Sequence, residues 1–222
     1  MRMNPIRSLT APAGRALRAG FTLIEMMAVL LIIGILMYFL LPTVQDAIQQ
    51  SKVVACQANM KNIYTGIQAY EMKFKHLPDR GGVQFSALLI TRGAWENTKT
   101  NAQRLTCPAV DTNGLPGLMG KDETEWFTDI EAVDGSYSAY AGRDLKAYPL
   151  RRLSGKEPLV CDDNDATEGN HPTTTNVLMG DGSVDALELK LYEEKGVVPK
   201  DSARLAVGPD AEVEVLRKFT LN

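Results

Sequence analysis

The stretch RAGFTLIEMMAVLLIIGILMYFLLP, Arg18 to Pro42, combines a long apolar run with a single carboxylate, Glu25. As a helix, the run from Phe21 to Leu41 would be about 31 Å long, close to the roughly 30 Å thickness of a bilayer's hydrocarbon core. No small-residue cleavage site of the secretory kind follows it. We therefore expect a retained membrane-spanning helix with a carboxylate one turn inside its edge.

The charge of the chain is unevenly distributed. The 222 residues suit one domain plus an appendage. Residues 1–20 carry four arginines and no acid, and the rest of the chain carries 20 basic and 27 acidic residues. The arginines predict a cytoplasmic N-terminus with the body of the protein on the other side of the membrane. The acidic body argues against nucleic acid as the main partner.

Glu25 has two interpretations. A carboxylate at bilayer depth costs on the order of 3 kcal/mol, which snorkelling to the interface would reduce, so Glu25 is either a tolerated interfacial residue or one with a partner. Cleavage between Gly20 and Phe21 would create an ammonium group one turn from Glu25. A neighbouring copy, shifted along the helix axis, would then place its ammonium group against this carboxylate. In that interpretation Glu25 is an assembly residue.

These residues resemble the N-terminal segment of type IV pilins and type II secretion pseudopilins. The resemblance implies that prepilin peptidase cuts after Gly20 and methylates Phe21, that Glu25 directs assembly, and that Pro42 is the helix proline at the end of the apolar segment. It also implies a single-pass protein of the bacterial inner membrane with a periplasmic or extracellular C-terminal domain. The implied partners are further copies of the chain in a helical homopolymer, other pseudopilins or pilins, prepilin peptidase, the inner-membrane assembly platform and the lipid membrane.

The helix pattern resumes after Pro42, where the missing hydrogen bond predicts a kink or local melting. Apolar residues then recur at spacings of three and four, which predicts one apolar stripe on an amphipathic helix that ends before Pro78. The stripe consists of Val53, Cys56, Met60, Ile63, Ile67, Tyr70 and Phe74. The predicted division of the chain is a basic leader (1–20), a transmembrane and assembly helix (21–42), an amphipathic continuation (43–77) and an exported domain (78–222).

The sequence of the exported domain predicts short helices and strands. FSALLITRGAW favours a helix, SYSAYAG and EPLVCDD favour strands, and AEVEVLRKF favours a last strand. TNVLMGDGSVDALEL predicts a hairpin, because Asp181-Gly182 suits a tight turn with positive φ. The fold class is therefore α+β, a long N-terminal helix packed against a small antiparallel sheet. A lollipop shape of this kind is also what the resemblance implies.

The three cysteines allow more than one interpretation. Cys56 lies on the apolar stripe, where a small buried hydrophobe is expected. Cys107 and Cys161 lie in the sheet-and-loop region and are the candidate disulfide, since disulfides persist outside the inner membrane. Three single pairings are possible, and the sequence does not choose among them. No C-x-x-C spacing exists, which argues against a zinc site.

A second motif, HPTTTNVLMGDG, places nine residues between His171 and Asp181-Gly182. It resembles a motif that names a subgroup of prepilin-like proteins. In the structural interpretation His171 bonds a loop carbonyl and Asp181-Gly182 forms the turn. In the alternative, His171 and Asp181 join an acidic run as a cation site, for which calcium is the candidate cofactor. The acidic run contains Asp162, Asp163 and Asp165.

The acidic loop gives calcium limited support. The resemblance supports a calcium site, because major pseudopilins often bind calcium in a loop. However, CDDNDATEGN is not that family's usual calcium loop and has no EF-hand spacing. A solvated acidic loop is the alternative.

The motifs argue against an enzyme. G-x-S-x-G, a P-loop and H-E-x-x-H are absent from the sequence. A cysteine nucleophile would need Cys107 or Cys161 beside His76 or His171, and no spacing brings them together. The expected function is a pseudopilin of a type II secretion filament. The alternatives are a pilin of an extracellular type IV pilus and an anchored periplasmic binding module that never polymerises, in which Glu25 would be unnecessary.

Overall fold

A computed structural model describes residues 21–162 and 170–221. The chain divides into two compact units, Met1–Gln45 and Asp46–Asn222. The long helix α1, Leu23–Phe74, contributes residues to both units. In the first unit the described part of α1 is apolar and exposed, and α1 is long and apolar enough to cross a membrane.

The described part of the second unit combines the rest of α1 with three short α-helices and a five-stranded antiparallel sheet of order β4-β3-β2-β1-β5. The short helices are α2 (Val83–Thr91), α3 (Lys99–Arg104) and α4 (Leu189–Glu194). The strands are β1 (Tyr140–Arg143), β2 (Pro158–Asp162), β3 (Thr174–Met179), β4 (Val184–Glu188) and β5 (Phe219–Thr220).

One face of the sheet packs on α1. The predicted stripe is buried from Val53 to Tyr70. Most of its residues belong to an apolar cluster between α1 and the sheet, and Phe74 packs against this cluster while partly exposed. Leu178 of β3 belongs to this cluster, whereas its neighbour Val177 belongs to a second apolar cluster. Successive strand residues point to opposite faces, so the sheet has an apolar core on each side. On the second side, Leu189 of α4 and apolar residues between Val198 and Phe219 cover the sheet. The predicted α+β fold is confirmed.

The predicted hairpin is also confirmed. β3 and β4 pair antiparallel, with Leu178 opposite Val184. Gly182 in the connecting turn has φ +83°. Glycine adopts this backbone region without the strain that a Cβ atom causes.

Two local expectations differ from the structure. α1 continues through Pro42, so local melting does not occur there, while a kink stays a prediction. Most of the expected C-terminal strand is a short 3₁₀ helix, Glu214–Lys218, and only Phe219 and Thr220 pair with β1. Strand β1 is only four residues long, and the C-terminal segment meets it at its end, where Gly142 pairs with Thr220. The ladder between the two segments is therefore short.

Candidate functional site

The start of α1 is closed by reciprocal hydrogen bonds between Thr22 and Glu25. The Thr22 backbone N–H and hydroxyl donate to Glu25 Oε2 at 3.1 Å and 2.9 Å, and the Glu25 N–H donates to Thr22 Oγ1 at 3.3 Å. This arrangement is a capping box, which satisfies backbone donors in the first helical turn. Glu25 therefore has a polar partner within its own chain.

The described residues around this cap form an exposed apolar surface. Phe21 is 79% exposed, and Leu31 and Leu36 are 67% and 61% exposed. Soluble monomers rarely expose continuous apolar surface of this extent, so this segment needs lipid or other chains around it. Gly20, the predicted cleavage residue, lies outside the described residues.

A second feature is a buried group of four side chains, which we call the Cys–His–Asp cluster. It consists of Cys56, Cys107, Asp162 and His171, and one potential ligand atom from each lies within 4.8 Å of all the others. All four residues are buried.

Four separate segments deliver these side chains. Cys56 lies on the buried stripe of α1, and Asp162 is the last residue of β2. Cys107 lies in the loop that follows α3, and His171 lies just before β3. The cluster thus forms where α1, two loops and the sheet meet.

Hydrogen bonds organise the cluster around the Asp162 carboxylate. The Cys56 thiol donates to Oδ1 at 2.9 Å, and the Asn176 backbone N–H and side-chain amide donate to Oδ2 at 3.0 Å and 2.9 Å. His171 Nε2 lies 3.6 Å from Asp162 Oδ2 and 3.5 Å from Cys107 Sγ. His171 Nδ1 has no hydrogen-bond partner within the described part of the chain. The imidazole therefore makes its polar contacts within the cluster.

Burial and mutual contact shift the pKa values of these groups. Burial raises the pKa of the Cys56 thiol and of the Asp162 carboxyl, because both charged forms lose hydration. Contact with Cys56, and then with His171, lowers the pKa of Cys107 to about 7. Burial lowers the pKa of His171, but the Cys107 and Asp162 contacts outweigh it and the net shift is upward. The protonation state of each group in the cluster therefore depends on its neighbours.

The predicted Cys107–Cys161 disulfide is wrong. Cys107 belongs to the apolar cluster on the α1 side of the sheet, and Cys161 belongs to the cluster on the other side. The sheet separates the two side chains, so no bridge is possible without refolding. Cys56, interpreted as a small hydrophobe, is the cysteine that lies beside Cys107.

The predicted acidic cation group is only partly assembled. Asp162 ends β2, whereas Asp181 follows β3, whose last residue pairs with Pro158 at the start of β2. Asp162 and Asp181 thus lie at opposite ends of one strand pair, and a calcium site containing both is wrong. Asp163 and Asp165 lie outside the described residues.

The two ends of the His171 to Gly182 motif do different things. His171 joins Asp162 in the buried cluster instead of bonding a loop carbonyl. Asp181 Oδ1 accepts hydrogen bonds from the Ser183 N–H at 2.9 Å and the Ser183 hydroxyl at 2.6 Å. Asp181 and Gly182 therefore belong to the turn, as the structural interpretation predicted.

Comparison with known proteins concerns the start of α1 and not the Cys–His–Asp cluster. Residues 15–40 match the prokaryotic N-terminal methylation motif. The chain carries the N-terminal segment of a prepilin-like protein. Together with the apolar first half of α1, this motif fits a single-pass membrane protein.

The chain is also similar to one curated relative. Competence protein ComGC of Halalkalibacterium halodurans is 41% identical over 61 residues, which cover 28% of this chain and 60% of the relative. The similarity thus spans less than two thirds of the relative. No solved structure matches the chain.

Proposed function

We propose that this prepilin-like protein is a pseudopilin, cleaved after Gly20, methylated at Phe21 and polymerised through α1 into a type II secretion filament. The observation that carries the proposal is the exposed apolar half of α1 with one carboxylate at its start. The methylation motif at residues 15–40 supports the processing step. The arginines of residues 1–20 support a cytoplasmic N-terminus and an exported globular unit.

Glu25 would act in this proposal by exchanging partners. In the single chain its carboxylate bonds to Thr22. In a filament, the new ammonium group at Phe21 of a neighbouring copy would approach the same carboxylate within the apolar layer. The ammonium group adds the attraction of opposite charges to its hydrogen bond, which the neutral Thr22 donors lack, so the neighbour would compete well with Thr22. Prepilin peptidase and an inner-membrane assembly platform are the proposed partners.

One observation favours a second candidate within the same chemistry, a pilin of an extracellular pilus. The 61-residue similarity is to a protein named as a competence protein. Deletion of the gene separates the two candidates. Loss of exported proteins from the medium supports the secretion filament, whereas loss of surface fibres or of DNA uptake with normal export supports the pilus.

The substitution Glu25→Gln tests assembly. Glutamine also serves in a capping box, so the helix cap is kept while the charge is removed. A photoreactive residue in place of Leu36, on the exposed apolar surface, would report contact between copies in membranes. We expect Glu25→Gln to insert at least as well as the wild type, because a charge leaves the apolar layer, and to lose its crosslinked multimers.

Asp46→Asn provides the matched control, because Asp46 is an exposed acidic residue of the same helix. It should crosslink as the wild type does. Equal crosslinking of Glu25→Gln and wild type would overturn assembly through Glu25. A wild type without crosslinked multimers would favour the anchored module that never polymerises.

A further inference from the structure

The Cys–His–Asp cluster offers an unusual set of groups for a protein interior. Two thiols, a carboxyl and an imidazole share one buried site. Buried ionisable groups are costly unless they are paired or coordinate a metal. Thiolates and imidazole are ligands for zinc and other borderline-soft metals, whereas calcium and magnesium prefer sites made of oxygen alone.

The distances within the cluster suit a tetrahedral ion. Zinc bonds of about 2.0–2.3 Å place neighbouring ligand atoms roughly 3.3–3.8 Å apart. Cys107 Sγ to His171 Nε2 is 3.5 Å, and His171 Nε2 to Asp162 Oδ2 is 3.6 Å. Cys56 Sγ lies 2.9 Å from Asp162 Oδ1, so this pair would separate slightly around an ion. The other ligand atoms lie within 4.8 Å of one another, so shifts of about 1 Å would bring them to these spacings.

The groups behind these four side chains form an outer layer of hydrogen-bond donors. Asn176 donates twice to Asp162 and is itself held by Gln57 of α1 at 3.0 Å. The Tyr140 hydroxyl lies 3.4 Å from Cys56 Sγ, and the Ala109 N–H donates to Cys107 Sγ at 3.5 Å. Such outer partners orient metal ligands and stabilise their negative charge. A purely apolar packing site would not need them.

We propose that Cys56, Cys107, Asp162 and His171 bind one structural zinc ion that fastens α1 to the sheet. All four coordination positions come from the protein and are buried, as in closed structural sites. Binding releases the thiol protons of Cys56 and Cys107 to solvent and involves no change of oxidation state. The ion then bonds two thiolates, the imidazole Nε2 and one carboxylate oxygen.

The same side chains suggest two alternatives to metal binding, a disulfide and a nucleophile pair. A Cys56–Cys107 disulfide would consume both thiols in an oxidising compartment, and it is an outcome of the test below. A Cys107–His171 nucleophile pair would need a sulfur that a substrate can reach, and Cys107 and His171 are only 1% and 2% exposed. The burial therefore favours a bound ion over catalysis.

The test measures metal in the full-length protein, extracted from membranes with detergent and without chelators. We expect about one zinc ion per chain in the wild type and loss of the zinc in Cys56→Ser and His171→Gln. Cys161→Ser is the matched control, because Cys161 is a buried cysteine on the other face of the sheet. It should retain the wild-type zinc content.

Three further measurements keep the proposal testable if the ligand variants fail to fold. The chelator-treated wild type, given Co²⁺, should develop the visible absorption of a tetrahedral thiolate complex. Asn176→Ala, which spares every ligand, should bind zinc about 10–100-fold more weakly. Alkylation under denaturing conditions, read by mass, should find Cys56 and Cys107 as thiols. A wild type without zinc, a Cys56–Cys107 disulfide, or equal zinc in the ligand variants and the control would overturn the proposal.

Discussion

Thr22 and Glu25 satisfy each other at the first turn of α1, with the Thr22 hydroxyl 2.9 Å from the Glu25 carboxylate. This contact explains how one chain tolerates Glu25 before any neighbour arrives. It also raises the question of whether Glu25 serves the helix cap or the filament.

Thr22→Ala separates the two roles of Glu25. It removes the cap, which weakens the start of the helix by about 1 kcal/mol, but leaves the charge of Glu25 in place. We expect the crosslinking through position 36 to persist in Thr22→Ala and to disappear in Glu25→Gln. Loss of crosslinking in Thr22→Ala alone would show that the cap, and not the charge, is what matters.

Asp181→Ala should destabilise the protein only modestly. The aspartate accepts two hydrogen bonds from Ser183 within the turn, and its side chain is 40% exposed to solvent. Losing a turn contact of this kind costs about 1 kcal/mol. Thermal unfolding of the detergent-solubilised protein measures the effect. A failure to fold, or loss of a calcium-dependent stabilisation that the wild type shows, would restore the cation interpretation of Asp181.

Gly182→Val should cost more than Asp181→Ala. Gly182 has φ +83°, and a Cβ atom there would lie 2.7 Å from the Tyr64 ring of α1. Strain and collision together should cost about 2–4 kcal/mol of unfolding free energy. Gly120→Val is the matched control, since Gly120 has φ +73° with open space around it. Equal losses in the two variants would mean that the Tyr64 contact adds nothing.

Glu157→Gln should produce a pH-dependent loss of stability. Arg143, which is buried, lies 2.8 Å from the Glu157 carboxylate, and this contact lowers the pKa of Glu157. A carboxyl whose pKa is lower in the folded state contributes stability above its unfolded pKa and loses it as the pH falls through the folded pKa. Because Glu157 is partly exposed, the contribution at pH 7 is about 0.5–1 kcal/mol.

Denaturant unfolding at several pH values measures this contribution. The difference between the wild type and Glu157→Gln should be present at pH 7 and shrink below about pH 4.3, the ordinary pKa of a glutamate. Glu194→Gln, at an exposed carboxylate of α4, is the control. A difference that stays constant down to low pH would contradict a charge effect and indicate lost packing instead.

The stripe and the hairpin could be predicted because their signals are local. Spacings of three and four fix which side of α1 is buried, from Val53 to Tyr70, whatever packs on it. The Asp181-Gly182 pair likewise sets the turn between β3 and β4 from its own backbone preferences. Predicting these two elements required no knowledge of the tertiary structure.

The cysteines could not be assigned because their partners depend on tertiary contacts. β2 and β3 shift register between Pro158 and Val160, which sets the faces that Cys161 and Asp162 occupy. A one-residue slip would exchange those faces, and the sequence alone does not specify it. The cluster's four members come from segments with no motif spacing, so the missing C-x-x-C argued against a metal that the geometry favours. The sequence offered two separate hints, Cys56 in the middle of the buried stripe and the cation interpretation of His171 with Asp162, but nothing that joined them.

The central claim, a processed and membrane-retained filament subunit, is tested most directly by the intact mass of the protein in the membrane fraction. We predict a chain that lacks residues 1–20, begins at Phe21 and carries one added methyl group on its N-terminal nitrogen. An N-terminus beyond Leu41, a soluble product without the apolar helix, or a membrane-bound chain that keeps its leader would contradict the claim.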